Sequence, residues 1–226
     1  CPSRGLGDVY KRQEKMKQAL TSTKKVISED FTNKNENKIN TNDKLPETLT
    51  IDDLLSPQDF IRLRAEFDSS ALEKKFSDKK IFKNNLPKNH SYKTLYTLAE
   101  KTRYELLGCQ MLKGIEKNLN QNYYQIMNIK KEQKLNTKED VIVSEAFELY
   151  LLKNFQKIKL NSISEKKLGF WEKDFDKSIK EHINFLNKNL ENQNEFSFKI
   201  SEILQNLDIF DTCLLYTSPS PRDGHQ

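Results

Sequence analysis

From Ser91 to about Asn120 the chain carries its longest helical apolar pattern: Leu95, Leu98, Ala99, Thr102, Leu106 and Cys109 recur at three- and four-residue steps. That spacing lines one face of an α-helix, at 3.6 residues per turn, and a strand's period of two cannot reproduce it. An amphipathic helix of this length has to be covered by other helices or a sheet. Gly108 and Gly114 fall inside the pattern. Each costs about 1 kcal/mol relative to alanine in a helix interior, so one of them is expected where another backbone approaches closely.

The rest of the chain supplies further helices and almost no strands. Residues 14–28 read as a short helix with Met16, Leu20 and Ile27 among lysines, followed by a polar, Asn-rich stretch over 29–50. Ser56-Pro57 reads as an N-cap and first helical residue, opening a helix whose stripe is Phe60, Leu63, Phe67, Ala71 and Leu72. Lys79–His90, containing Pro87, reads as a connection, and 123–134 as another helical segment. Thr137-Lys138-Glu139-Asp140 resembles a capping sequence ahead of Ile142, Ala146, Leu149, Leu152 and Phe155; Ser162-Ile163-Ser164-Glu165 is a second cap candidate. Trp171, Phe175, Ile179, His182 and Leu186 form an apolar face interrupted by the histidine, and Phe196, Ile200, Ile203, Leu204 and Leu207 form a last one. The only β-branched run, Val141-Ile142-Val143, is absorbed by a helical stripe. The expected fold is all-α: an irregular bundle of six to seven helices with a short irregular or hairpin-like segment near 30–50.

The two ends read differently. Gly7-Asp8-Val9-Tyr10-Lys11-Arg12-Gln13 can be encoded by a DNA stretch whose reverse complement, read one base in, encodes Cys213-Leu214-Leu215-Tyr216-Thr217-Ser218. One inverted adapter element at both ends of an insert explains this pair. Residues 1–13 and 213–226 are therefore expected to be translated adapter, excluded from fold reasoning, and 14–212 a single helical domain. Between those ends one cysteine remains, Cys109, so no disulfide framework is expected and a reducing cytoplasm fits. No apolar run approaches the ~18 residues of a membrane span. Cations fall from 38 to 34 and acids from 33 to 31, a net charge of +3, with only Arg62, Arg64 and Arg103 as arginines. Lysine, asparagine and isoleucine dominate, as AT-rich codon usage alone would produce, so nucleic acid is not the expected partner.

Few residues offer chemistry. His90 and His182 have no second ligand at metal-binding spacing. His182 on an apolar stripe reads as a hydrogen-bonded core histidine, and His90, ahead of a helix, as solvated or capping. Cys109, on the inner face of its helix with no base nearby, reads as a small buried hydrophobe. There is no Gly-rich phosphate loop, and Asp68-Ser69-Ser70 is not the Asp-x-Ser-x-Ser of a metal-ion-dependent adhesion site. What stands out is Glu100, Arg103 and Glu105, followed by Gly108, Gly114 and Asn118. An arginine kept in a lysine-rich chain points to a bidentate geometry that lysine cannot supply. Arg103 is expected as a buried or half-buried hub paired with Glu100 or a carboxylate from another helix, with Gly108 at a close helix crossing.

The run Leu95 to Gly108, continuing through Lys113-Gly114-Ile115 to Asn118-Leu119, resembles the signature helix of the CobT family, subunits of the ATP-dependent cobaltochelatase of aerobic cobalamin synthesis. Glu100, Arg103, Glu105, Gly108, Gly114, Asn118 and Leu119 fall in register with it. Weaker resemblance covers nearly all of 15–211, including Lys17 to Thr21, Trp171 to Asp176, Asn192 to Phe196 and Ile203 to Asp208. The chain departs from the family at 31–44, at Ser77 to Phe82, where the family has two histidines, and at Met111, where it has a second arginine. The resemblance implies a helical N-terminal assembly element with no catalytic residue of its own. It implies a CobS-like AAA+ ATPase and a CobN-like large subunit as partners. It implies ATP, Mg and Co as what the whole complex uses, cobalt being inserted into hydrogenobyrinic acid a,c-diamide. A von Willebrand A domain with Asp-x-Ser-x-Ser is expected to lie beyond Asp211. The competing reading is a helical scaffold or adaptor unrelated to chelation, one form of which binds nucleic acid through lysines.

Overall fold

The computed structural model describes residues 15, 18–28, 56–129 and 135–207, and all regular structure among them is helical. The segment near 30–50, Met16, residues 130–134 and both end segments lie outside the described residues. The helices are α1 (18–28), α2 (Pro57–Phe76), α3 (Lys79–Asn84), α4 (His90–Met111), α5 (Lys113–Ile129), α6 (Val143–Asn154), α7 (Ser162–Gly169), α8 (Glu172–Ile179), α9 (Ile183–Lys188) and α10 (Gln193–Gln205). The all-α expectation holds; the structure divides the helical stretches more finely than six to seven.

Local chemistry accounts for the helix ends. Ser56 caps α2, its hydroxyl accepting from the Asp59 N–H with Pro57 at the first position. Asn89, and not His90, caps α4: its side chain accepts from Ser91 N–H and its carbonyl from Lys93 N–H. His90 is the first residue of α4 and is exposed. Lys79–Asn84, expected as connection, is helical. Thr137 and Asp140 do form a cap, the Asp140 carboxylate accepting from the Asn136 and Thr137 N–H groups at 2.9 Å. What they cap is a single 3-10 turn, Lys138–Asp140, and α6 starts anew at Val143. The cap of α7 is Asn161, one residue before the expected serine, accepting from Ser164 N–H at 2.8 Å.

The pattern read as one helix from Ser91 to Asn120 breaks at Leu112. The Leu112 N–H closes α4 on the Gly108 carbonyl, and the Leu112 carbonyl accepts from Ile115 and Glu116 to open α5. The phase of the apolar stripe explains this. Five turns of helix span ~18 residues, so Leu95 and Ala99 extrapolate to Lys113 and Lys117, both exposed. The buried positions of α5 are instead Ile115, Leu119, Tyr123 and Met127.

The chain forms two compact units, and the division falls inside α4, between Glu100 and Lys101. In the first unit, α1, α2, the second half of α4 and α5 bury Leu20, Ile27, Leu63, Ala71, Leu72, Leu107, Ile115 and Leu119. Lys24 lies over the Phe67 ring. Phe60, expected in the stripe of α2, is exposed.

In the second unit, α6 to α10 and the first half of α4 surround Phe147, Tyr150, Leu168, Phe175, Ile179, Leu186 and Leu204. Phe175 is the centre of an aromatic cluster, its ring 5.4 Å from Phe147 and from Tyr150 and 6.4 Å from Trp171. The Trp171 indole N–H donates to the Val141 carbonyl. Ile142 is exposed at the start of α6. His182 lies in a 3-10 turn between α8 and α9, half-buried with its Nε2 against Glu181 at 3.2 Å, and is not a core residue.

Candidate functional site: the signature helix and its partners

Arg103 is almost completely buried, at 1 % exposure. Its guanidinium donates to the carbonyl of Phe76 at 2.6 Å. Phe76 is the last residue of α2, where backbone carbonyls have lost their helical donors and the helix dipole is negative. A cation placed there answers both, so Arg103 fixes the C-terminal end of α2 from α4. Arg103 is buried, as expected, and the hydrogen bond it makes to α2 goes to a backbone carbonyl in place of the carboxylate that was expected. Gly108 does face α2, though it meets a side chain where a backbone was expected: a Cβ there would fall onto the side chain of Leu72. Gly114 does not share that role. It lies in the first turn of α5, exposed, with nothing within 4 Å of where its Cβ would be.

Glu105 is the centre of a second set of contacts. It is 1 % exposed. One carboxylate oxygen accepts from the Ser69 hydroxyl of α2 at 2.7 Å, and the other from the Tyr123 hydroxyl of α5 at 2.6 Å. Hydroxyls donating to an ionised acceptor make short, strong bonds, so this carboxylate ties α2, α4 and α5 together. The Lys101 ammonium sits over the Tyr123 ring at 5.5 Å. On the facing side Asp68 of α2, also buried, accepts from Arg64 Nε at 3.2 Å and from the Asn118 amide of α5 at 2.8 Å. Arg103, Glu105, Gly108 and Asn118 thus converge on α2, each through a different residue of it.

Glu100 lies in the second unit. It is buried, and it accepts from the side-chain amide of Gln193, the first residue of α10, at 3.0 Å. Two turns earlier the Tyr92 hydroxyl donates to the Leu207 carbonyl, just beyond the other end of α10. The first half of α4 is therefore pinned to both ends of α10.

Pattern reading missed Asp68, Ser69, Tyr123 and Gln193 as members of these networks. For Asp68 the signal was available: a carboxylate lying four residues before Leu72 and three after Ala65, on the buried face of α2, has to find donors.

The chemistry available here is that of a lock. The buried carboxylates of Asp68, Glu100 and Glu105 each accept from a donor on another helix. Cys109 is half-buried, its thiol pushed up to about 12 by burial, with Glu105 and Glu116 adding to the rise, so the nucleophilic thiolate is negligible near neutral pH. Among the described residues no three His, Cys, Asp or Glu side chains gather as a metal-binding set. No helix among them is long and apolar enough to cross a membrane.

A family model described as cobalamin biosynthesis protein CobT matches residues 10–224. The matched span runs into both end segments, whose adapter reading rests on their coding symmetry. No curated protein and no solved structure matches the chain.

Proposed function

The chain belongs to the CobT family, a family of cobalamin biosynthesis, and on that premise we propose that it is the helical assembly element of an ATP-dependent cobaltochelatase. In this reading it joins a CobS-like AAA+ ATPase to act on a CobN-like subunit that holds the corrinoid. ATP and Mg serve the ATPase, and cobalt is the substrate inserted into hydrogenobyrinic acid a,c-diamide. The observation that carries the reading is the use of the signature residues. Arg103, Glu105, Gly108 and Asn118 are consumed in holding α2, α4 and α5 in register, which is what a rigid docking scaffold requires and what a catalytic group, needing free valence toward substrate, does not.

The test is reconstitution. Mixed with the CobS-like ATPase and nucleotide, the chain should co-elute with it in size-exclusion chromatography. With the CobN-like subunit added, insertion should be followed by the change in corrinoid absorbance, with ATPase rate measured in parallel. The chain by itself should show neither activity. Failure to associate with the ATPase, with or without nucleotide, would remove the assembly role.

A further inference from the structure

Residues 79–99 are the longest stretch without aspartate or glutamate among the described residues, and they carry Lys79, Lys80, Lys83, Lys88 and Lys93 with no arginine. Within the second unit the fold brings Lys83, Lys88 and Lys93 to one corner. The Phe82 ring of α3 meets the Tyr96 ring of α4 at 5.0 Å, and the Tyr96 hydroxyl donates to the Phe82 carbonyl at 3.2 Å. Lys83 directly follows Phe82, Lys93 precedes Tyr96 by about one turn, and Lys88 lies in the short link between the two helices. Lys83 and Lys88 are exposed and Lys93 is half-buried. Among the described residues none of these three forms an ion pair, which is equally true of Lys166, Lys173 and Lys188 in the same unit; the corner differs from those in that its own stretch, 79–99, supplies no carboxylate. The start of α4 adds its own partial positive charge to the corner.

We propose that this α3–α4 corner is a docking surface for an acidic segment of a partner protein. Cations gathered at one corner without carboxylates raise the local potential and draw anionic partners. The details favour carboxylates over nucleic acid. There is no arginine to grip a phosphate with two bonds. The aromatic rings that could stack on bases are engaged: Phe82 and Tyr96 on each other, and Tyr92 through its hydroxyl on Leu207. Single-strand binders need such free platforms.

The probe is a fluorescein-labelled oligoglutamate peptide, titrated with the full chain and read by fluorescence anisotropy. Lys83→Glu, Lys88→Glu and Lys93→Glu combined should weaken binding by about tenfold or more. The neutral set Lys83→Gln, Lys88→Gln and Lys93→Gln should weaken it less but measurably, with circular dichroism unchanged in both. Charge reversal of Lys166, Lys173 and Lys188, exposed lysines elsewhere in the same unit, should leave affinity within about twofold. The proposal is overturned if the peptide does not bind, or if the control reversal weakens binding equally. It is also overturned if labelled single-stranded DNA binds more tightly than the peptide and loses that binding with the same triple reversal.

Discussion

In the first unit the largest fully buried side chain is an arginine, Arg103; in the second the largest are Tyr96, Tyr150, Phe147 and Phe175. The first unit joins its helices through charged and polar groups, Arg103 to Phe76, Glu105 to Ser69 and Tyr123, and Asp68 to Arg64 and Asn118. The second buries aromatic and aliphatic volume and, apart from Lys167–Glu145, whose lysine is buried, keeps its ion pairs nearer the surface. The Lys153 ammonium between Glu165 and Glu172 is an example, more than a third exposed at both ends of one pair. The difference teaches where each unit is brittle. Apolar packing is non-directional and tolerates exchange of similar volumes. A buried hydrogen-bond network has one geometry, and losing one member leaves another without a partner.

That contrast can be broken by substitution. The largest loss should come from Phe175→Ala, about 3–5 kcal/mol by cavity formation at the aromatic centre of the second unit, while Phe175→Leu should cost clearly less. Urea denaturation of both variants checks this; equal losses would show that shape, and not volume, governs the second unit too. Arg103→Ala should cost about 3 kcal/mol, since it removes a buried charged donor and takes that donor away from the Phe76 carbonyl. A loss under about 1 kcal/mol would mean the polar lock of the first unit is dispensable.

Gly108→Leu should destabilise by about 1–3 kcal/mol through collision with Leu72, and Gly108→Ala combined with Leu72→Ala should lose less than the sum of the two single changes. Gly114→Ala should be neutral or stabilising by up to about 1 kcal/mol. A double-mutant cycle in thermal denaturation reads both, and additive losses at 108 and 72 would deny the close crossing.

The smallest effect belongs to Glu66, whose carboxyl is raised from its ordinary 4.5 by burial, opposed by Arg62 and then Lys101. One of its oxygens is buried without a hydrogen-bond partner among the described residues. A raised folded pKa means that the folded state binds the proton more tightly. The stability this gives is fully present below the unfolded value and is lost as pH rises through the folded one. Glu66→Gln should therefore melt slightly higher than the parent at neutral pH, with the gap closing as pH falls below about 4.5. A gap that widens toward acid would reverse the assignment.

Before any folding, the chain determined that it would be helical, and it determined most of the faces. Leu63, Ala71, Leu72, Leu95, Ala99, Phe175, Ile179, Ile200 and Leu204 lie buried on the stripes their spacing defines, because side-chain periodicity is a local property of the backbone. The Ser56-Pro57 start was legible for the same reason. Even the break at Leu112 was written in the sequence, as the phase shift that puts Lys113 and Lys117 where apolar residues would have to continue. Periodicity says which face is turned inward and nothing about what waits there. Only the tertiary structure decided that Arg103 ends on a backbone carbonyl, that Glu105 holds two hydroxyls from different helices, and that Gly108, not Gly114, meets a neighbour. Those outcomes depend on where helices distant in the chain cross, to within the length of a hydrogen bond, and that distance is set by all the packed side chains together.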